Sequence, residues 1–224
     1  MKTRSLLLAS SLFLLGCPPP SGGPNQQIQA IGTSMVSSAA VSALQTGTAV
    51  AIVFDTSGSM EGDKLNIAKK AFTEIIYPRL QASKHRVEYS IIRCGGSVSI
   101  VQANTLFTNQ PLDAITSLGA GGDTPLGEAT LAAYQELSTS HCDTKYIFIL
   151  TDGAATGVAP QDIIGPMKAQ GVDVGIYVVG FQSQQEYYKP IADLGGQVLM
   201  AENADSLGAT CDAIFRQILK VEAE

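Results

Sequence analysis

The sequence predicts a doubly wound α/β domain: a mostly parallel six-stranded sheet with one antiparallel edge strand and helices on both faces. Three observations lead there. Apolar runs such as Thr48–Phe54, Tyr146–Leu150 and Val172–Val179 are continuous rather than alternating, as in strands covered on both faces. Amphipathic helical stretches separate them at regular intervals, as crossovers between parallel strands require. With 224 residues, 45% hydrophobic and 15% charged, the chain has the apolar content for one full core.

The elements follow in order. Met1 to Cys17 carries Lys2 and Arg4, an apolar stretch from Leu6 to Leu15, then Gly16 and Cys17, the layout of a secretory signal peptide. The apolar stretch is too short to span a bilayer. Its end, Leu14-Leu15-Gly16-Cys17, resembles the lipobox of bacterial lipoproteins. That resemblance implies cleavage before Cys17 and lipid on Cys17; the alternative is an ordinary signal peptide cut near a small residue. Pro18, Pro19 and Pro20, then Ser21-Gly22-Gly23-Pro24, suit a tether that is stiff and then flexible. Lipoproteins held in the inner membrane tend to carry Asp after the cysteine, and Pro18 stands there, so outer-membrane sorting is allowed. The expected division is 1–16 signal peptide, 17–47 lipidated cysteine and tether, and 48–224 domain, placed at the cell envelope. Residues 34–44 carry a weak helical pattern.

The first strand ends at Phe54 and runs into Asp55-Thr56-Ser57-Gly58-Ser59. Leu65, Ala68, Phe72 and Ile75 recur at helical spacing, which predicts a helix over 63–77 that ends near Pro78. Strands over 86–93 and 97–103, joined at Cys94-Gly95-Gly96, form an antiparallel hairpin. Short and longer helices follow over 111–118 and 125–137, the second opened by Pro125. After the strand at 146–150 come a helix near 161–170 and the strand at 172–179. A helix over 184–194 is expected despite Pro190, then a strand over 197–201. The last helix starts near Asp205, a good amino-terminal cap, and runs to Lys220 with Leu207, Cys211, Ile214, Phe215, Ile218 and Leu219 as its apolar stripe.

The chemistry-bearing residues gather where strands end. Asp55, Ser57 and Ser59 sit at alternate positions after the first strand, around a turn that Gly58 permits. The loop Gly119 to Ala129 delivers Thr124 just before a helix, and the strand within Lys145 to Gly153 ends in Asp152. Carboxyl ends of strands are where open α/β sheets place their ligand sites. Asp55, Ser57, Ser59, Thr124 and Asp152 resemble the metal-ion-dependent adhesion site of the von Willebrand factor type A (vWA) family, D-x-S-x-S, then Thr, then Asp. All five positions are matched in order, and the resemblance covers about 48–220.

That resemblance implies Mg²⁺ or Mn²⁺, with Ca²⁺ less suited, in a hard oxygen environment. In the family the two serine hydroxyls bind the ion directly, Thr binds directly or through water, and the acids often act through water. The ion then stays electrophilic towards an Asp or Glu of a protein partner. Asp123 stands where the family often carries Gly, and reads as a solvated loop acid. Tyr187, Tyr188 and Phe181 follow a strand that ends on the same side, and serve either as a recognition rim or as helix packing. The expected function is a non-enzymatic, metal-dependent protein-binding module; the alternative is a structural envelope lipoprotein whose metal only braces three loops.

Other classes fit less well. The phosphoaspartate hydrolases of the haloacid dehalogenase type carry D-x-D, whereas Ser57 stands at the second acid. No G-x-S-x-G elbow surrounds Ser57 or Ser59. His85 and His141 precede strands, at the opposite end of the sheet from Asp55, and cannot serve Ser57 as a base. The Gly119–Gly127 loop lacks the lysine of a phosphate-binding loop. A formal charge of −6, more acidic once Lys2 and Arg4 are removed, and no basic patch argue against nucleic acid. Beyond Cys17 the chain has Cys94, Cys142 and Cys211. Cys94 and Cys142 are expected at opposite ends of the sheet, too far apart for a disulfide. All three read as small apolar fillers, with a pair involving Cys211 left open.

Overall fold

The computed structural model describes residues 45–108 and 113–220. The signal peptide, Cys17, the tether, the helical pattern at 34–44 and the start of the predicted helix at 111–118 lie outside the described residues.

Six strands form one sheet in the order β3-β2-β1-β4-β5-β6. They are β1 (Gln45–Asp55), β2 (Arg86–Gly95), β3 (Ser97–Leu106), β4 (Cys142–Thr151), β5 (Gly175–Phe181) and β6 (Gln197–Ala201). Every neighbouring pair is parallel except β2 with β3, the expected antiparallel hairpin. Gly96 makes the reversal at φ 63°, a conformation that costs glycine nothing.

Strand β1 lies in the middle and alternates strictly between two cores. Ala49, Ala51 and Val53 face one apolar layer. Val50, Ile52 and Phe54 face the other. The first layer is covered by α4 (Leu126–Ser138), α5 (Pro160–Ala169) and α6 (Lys189–Asp193). The second is covered by α1 (Asp63–Ala71), a π-helical turn (Phe72–Ile76), α2 (Tyr77–Ala82) and α7 (Ala204–Leu219). The remaining helix, α3 (Asp113–Thr116), is a single turn that buries Ile115.

Four local expectations are corrected. The first helix does not end at Pro78: the wider π turn lets the chain pass proline and continue to Ala82, keeping Ile76 and Leu80 buried. The fifth strand is Gly175–Phe181 rather than 172–179, because Val172 and Val174 are buried in the approach to it, where sequence reads them as strand. The stretch 184–194 divides into a 3-10 turn (Gln185–Tyr188) and α6, with Pro190 in the first turn of α6, where its missing N–H is not needed. The last helix is capped by Asn203, not Asp205. The Asn203 side chain accepts from the Ser206 N–H, and the Ser206 hydroxyl accepts from the Asn203 N–H, closing a capping box.

The three cysteines are buried and free, and Cys94 and Cys142 do occupy opposite ends of the sheet. His85 and His141 precede β2 and β4, at the end away from Asp55.

Candidate functional site

Strand order reverses beside β1, between chain directions leading to β2 and to β4, and the crevice at that point is where doubly wound sheets hold ligands. Asp55 is the last residue of β1, and Asp152 directly follows β4. Both lie at this crevice, on adjacent parallel strands.

The backbone then stitches three loops together. The Thr56 N–H donates to the Cys94 carbonyl (2.6 Å) and Gly121 N–H to the Thr56 carbonyl (2.8 Å). Gly58 N–H donates to the Gly122 carbonyl, and Gly96 N–H to the Asp123 carbonyl, both at 2.9 Å. Glycine is required where these loops touch. A Cβ on Gly122, which sits at φ 74°, would stand 2.3 Å from Gly96 Cα. Thr124 follows immediately, buried, with its N–H donating to Thr156 Oγ1 (3.0 Å) and its carbonyl accepting from Thr156 N–H (2.9 Å).

Four of the five expected residues are joined in one chain of hydrogen bonds, Asp55 through the Ser57 backbone N–H and the others through side chains. Asp55 Oδ1 accepts from the Ser57 N–H (2.7 Å), and Asp55 Oδ2 from the Thr151 hydroxyl (2.5 Å). The Ser57 and Ser59 hydroxyls lie 3.1 Å apart, and Ser59 Oγ donates to Asp152 Oδ1 (2.6 Å). The loop that leads into Thr124 is tied by backbone hydrogen bonds to the Thr56–Gly58 turn. Asp55, Ser57, Thr124 and Asp152 are buried, whereas Ser59 and Gly58 are exposed, so the cluster opens to solvent on the Ser59 side.

Burial pushes the Asp55 carboxyl above its ordinary value, against hydrogen bonds from Thr151 and Ser57 that lower it; the nearby Asp152 charge adds to the rise. Two acids thus share a buried site that favours a counter-charge. One cation is already present: Lys64 Nζ, from the first turn of α1, donates to Asp152 Oδ2 at 2.6 Å.

This donor set suits a hard divalent cation. It offers carboxylate and hydroxyl oxygens without thiol or imidazole, and one carboxylate oxygen already holds an ammonium. Among the described residues no group of three or more His, Cys, Asp or Glu could hold a metal. With only two acids, hydroxyls would have to supply the other protein ligands.

Two residues that sequence reasoning missed are Thr151 and Lys64. Thr151 reads as an ordinary strand residue. Lys64 reads as one of several lysines on the exposed side of a helix, and its partner lies 88 positions away. The position of Lys64 soon after the motif was the one available signal.

The aromatic rim is corrected in part. Tyr188 and Phe181 are buried, at 2% and 0% exposure, and only Tyr187 is exposed. Tyr188 instead braces the site from below: its hydroxyl donates to the Gly153 carbonyl (3.2 Å) and is 2.7 Å from Ser183 Oγ. Asp123 is exposed, as a loop acid should be.

A sheet and helices of this kind define a doubly wound α/β domain with a crevice at its switch point. The von Willebrand factor type A domain model matches residues 49–210, and the chain belongs to the vWA domain family. The domains of this family are mostly non-enzymatic and commonly mediate protein interactions. The uncharacterized protein YwmD of Bacillus subtilis (strain 168) is 27% identical over an alignment of 186 residues that covers 72% of this chain and 82% of that protein. A von Willebrand factor type A protein from Catenulispora acidiphila matches with a TM-score of 0.66 at 18% identity over 78% of this chain, which spans 43% of that chain's length. The vWF domain of the type V pili tip protein Mfa5 from Porphyromonas gingivalis matches at 0.62 and 14% identity, over 81% of this chain and 98% of that one. At these identities the two structures establish the fold.

Proposed function

We propose that the domain is a metal-ion-dependent protein-binding module, and that lipid on Cys17 tethers it to a bacterial cell envelope. One observation carries the reading: Asp55, Ser57, Ser59 and Asp152 form a connected cluster at the switch point, open to solvent, with a cation already on one carboxylate. Mg²⁺ or Mn²⁺ suits it better than Ca²⁺, because few protein carboxylates are offered and small hard ions keep several waters. The hydroxyls of Ser57, Ser59 and Thr124, with Asp55 and Asp152, would hold the ion. The ion would supply a positive centre on an otherwise acidic molecule, and the partner presents an Asp or Glu to it. One such bond is unspecific, so Tyr187 and the hairpin around Gly96, both exposed beside the crevice, add contacts.

A pull-down from envelope extract tests this. Capture is expected to vanish in chelator, return with Mg²⁺ or Mn²⁺, and fail for Ser57→Ala while that variant keeps its melting temperature within a few degrees. A partner captured equally well in excess chelator would favour the structural lipoprotein instead. The tether has its own test: Cys17→Ser should leave the membrane fraction or remain unprocessed, and normal processing with membrane retention would refute it. Stable anchoring needs more than one acyl chain, so the mature chain is expected to carry several.

A further inference from the structure

We propose that Lys64 is a built-in counter-cation of the site: it holds the ligand cluster together when no ion is bound, and its displacement by the entering ion lowers the affinity of the site. This rests on the divalent-ion reading given above.

The geometry points to the exchange. The Lys64 ammonium is 2.6 Å from Asp152 Oδ2, while Asp152 Oδ1 receives the Ser59 hydroxyl. The ammonium thus sits on the free oxygen of a carboxylate assigned to the ion. The Asp152 side chain is fully buried and that of Lys64 is 29% exposed, so the ammonium reaches in from solvent and has a route back out.

The position of Lys64 in its helix gives an independent argument. It lies in the first turn of α1, after Gly62 at φ 79°. A cation there meets the positive end of the helix dipole, which disfavours it. The helix gains nothing from Lys64 at that place, and the compensating contact is Asp152. The backbone carrying it is held on both sides, by Met60 at 0% and Leu65 at 5% exposure in the core. Exchange therefore needs rotation of one long side chain and no movement of the fold.

Charge balance makes the two cations alternatives. Asp55 and Asp152 together carry two negative charges when ionised, and Lys64 offsets one. A divalent ion offsets both, and an ammonium remaining on the same carboxylate would then repel it at close range. The ion-free domain keeps its cluster assembled, and the ion must outcompete a tethered rival.

The test uses the chain as it exists, with Mn²⁺ as probe. By calorimetry, Lys64→Met is expected to bind Mn²⁺ about tenfold more tightly than the native protein, a factor that one charge-assisted hydrogen bond accounts for. Its melting temperature should fall in chelator and rejoin the native value at saturating Mn²⁺. Lys64→Arg keeps the charge and should stay close to native in both. A second readout needs no variant: acetylation of Lys64 in the native chain, followed by mass spectrometry, should be slow in chelator and rise severalfold with Mn²⁺. If the native protein binds Mn²⁺ and Lys64→Met binds it no more tightly, or Lys64 labelling ignores the ion, the counter-cation role is overturned and the metal site stands. If neither protein binds Mn²⁺, the metal-site reading falls and this inference with it.

Discussion

The two ends of the sheet are built from the same strands and both carry charged groups, yet they are finished differently. At the end where β2 and β4 begin, charges are paired within the chain. Glu88 is buried and receives Arg86 Nη2 at 2.6 Å and Asn104 Nδ2 at 3.1 Å. Glu136 Oε2 accepts the Asn104 N–H at 2.6 Å, and Lys145 caps α4 through the Leu137 and Ser140 carbonyls. About 20 Å along β1, at the strand rise of the sheet, Asp55 and Asp152 share hydroxyls and a single ammonium. One end is electrically closed and ties the edge strand to its neighbours. At the other, the Lys64 ammonium is bonded to Asp152, and Arg93 Nε donates to Thr56 Oγ1 beside Asp55 rather than to either acid (3.0 Å). The contrast separates polar groups that serve the fold from the polar groups of the proposed site, a distinction that burial alone does not make.

The comparison can be broken most decisively at Glu88. Glu88→Ala leaves Arg86 and Asn104 without their shared acceptor and should cost about 1.5–3 kcal/mol in urea unfolding, the range for losing hydrogen bonds to a charged group. Its ionisation adds a pH signature. Burial alone would raise the Glu88 carboxyl, but hydrogen bonds from Ser140, Arg86 and Asn104 outweigh it and hold the group below its ordinary 4.5. An acid with a lowered folded value contributes stability that is complete above about pH 4.5 and is lost as pH falls through the folded value. Acid unfolding curves of the native domain should therefore drop below that point, and Glu88→Gln should flatten the drop. An unchanged curve would show that the closed end is not closed by this acid.

A smaller effect, of opposite sign, is expected at the open end. Asp55→Asn removes a buried charge whose folded value is raised, while the amide can still accept from the Ser57 N–H and meet Thr151. In chelator the variant should be more stable than the native domain by roughly 1 kcal/mol, and it should show no melting shift on adding Mn²⁺. Loss of stability in chelator comparable to that of Glu88→Ala would erase the distinction between the two ends.

The outline of this arrangement was legible in the sequence because it depends on local patterns. Continuous apolar runs marked strands covered on both faces, and the two-glycine joint after Cys94 marked the hairpin. Asp55, Ser57 and Ser59 needed only strand-end spacing to be brought together, and four of the five expected ligands do form one bonded cluster. What escaped depends on contacts distant in sequence or on backbone irregularity. The π turn at Phe72–Ile76 carries a helix through Pro78, where proline rules predict a stop. Tyr188 and Tyr187 are adjacent and chemically alike, but a 3-10 turn points one into the core and leaves the other outside. Asn203 was passed over for Asp205 although Ser206 stands three residues after it, so that cap could have been read.

The contact between Gly96 and Gly122 reaches further than its local sterics. Because the loops meet backbone to backbone, their mutual position is set by main-chain contact and not by the exposed side chains around them. Chemistry and recognition are in that sense separately editable. Asp123, Ala154 and Tyr187, all exposed beside the crevice, can be rewritten for a new partner while Asp55, Ser57, Ser59 and Asp152 keep their places. On the proposed reading, the domain would be a scaffold whose specificity can drift, or be engineered, without rebuilding the centre it surrounds.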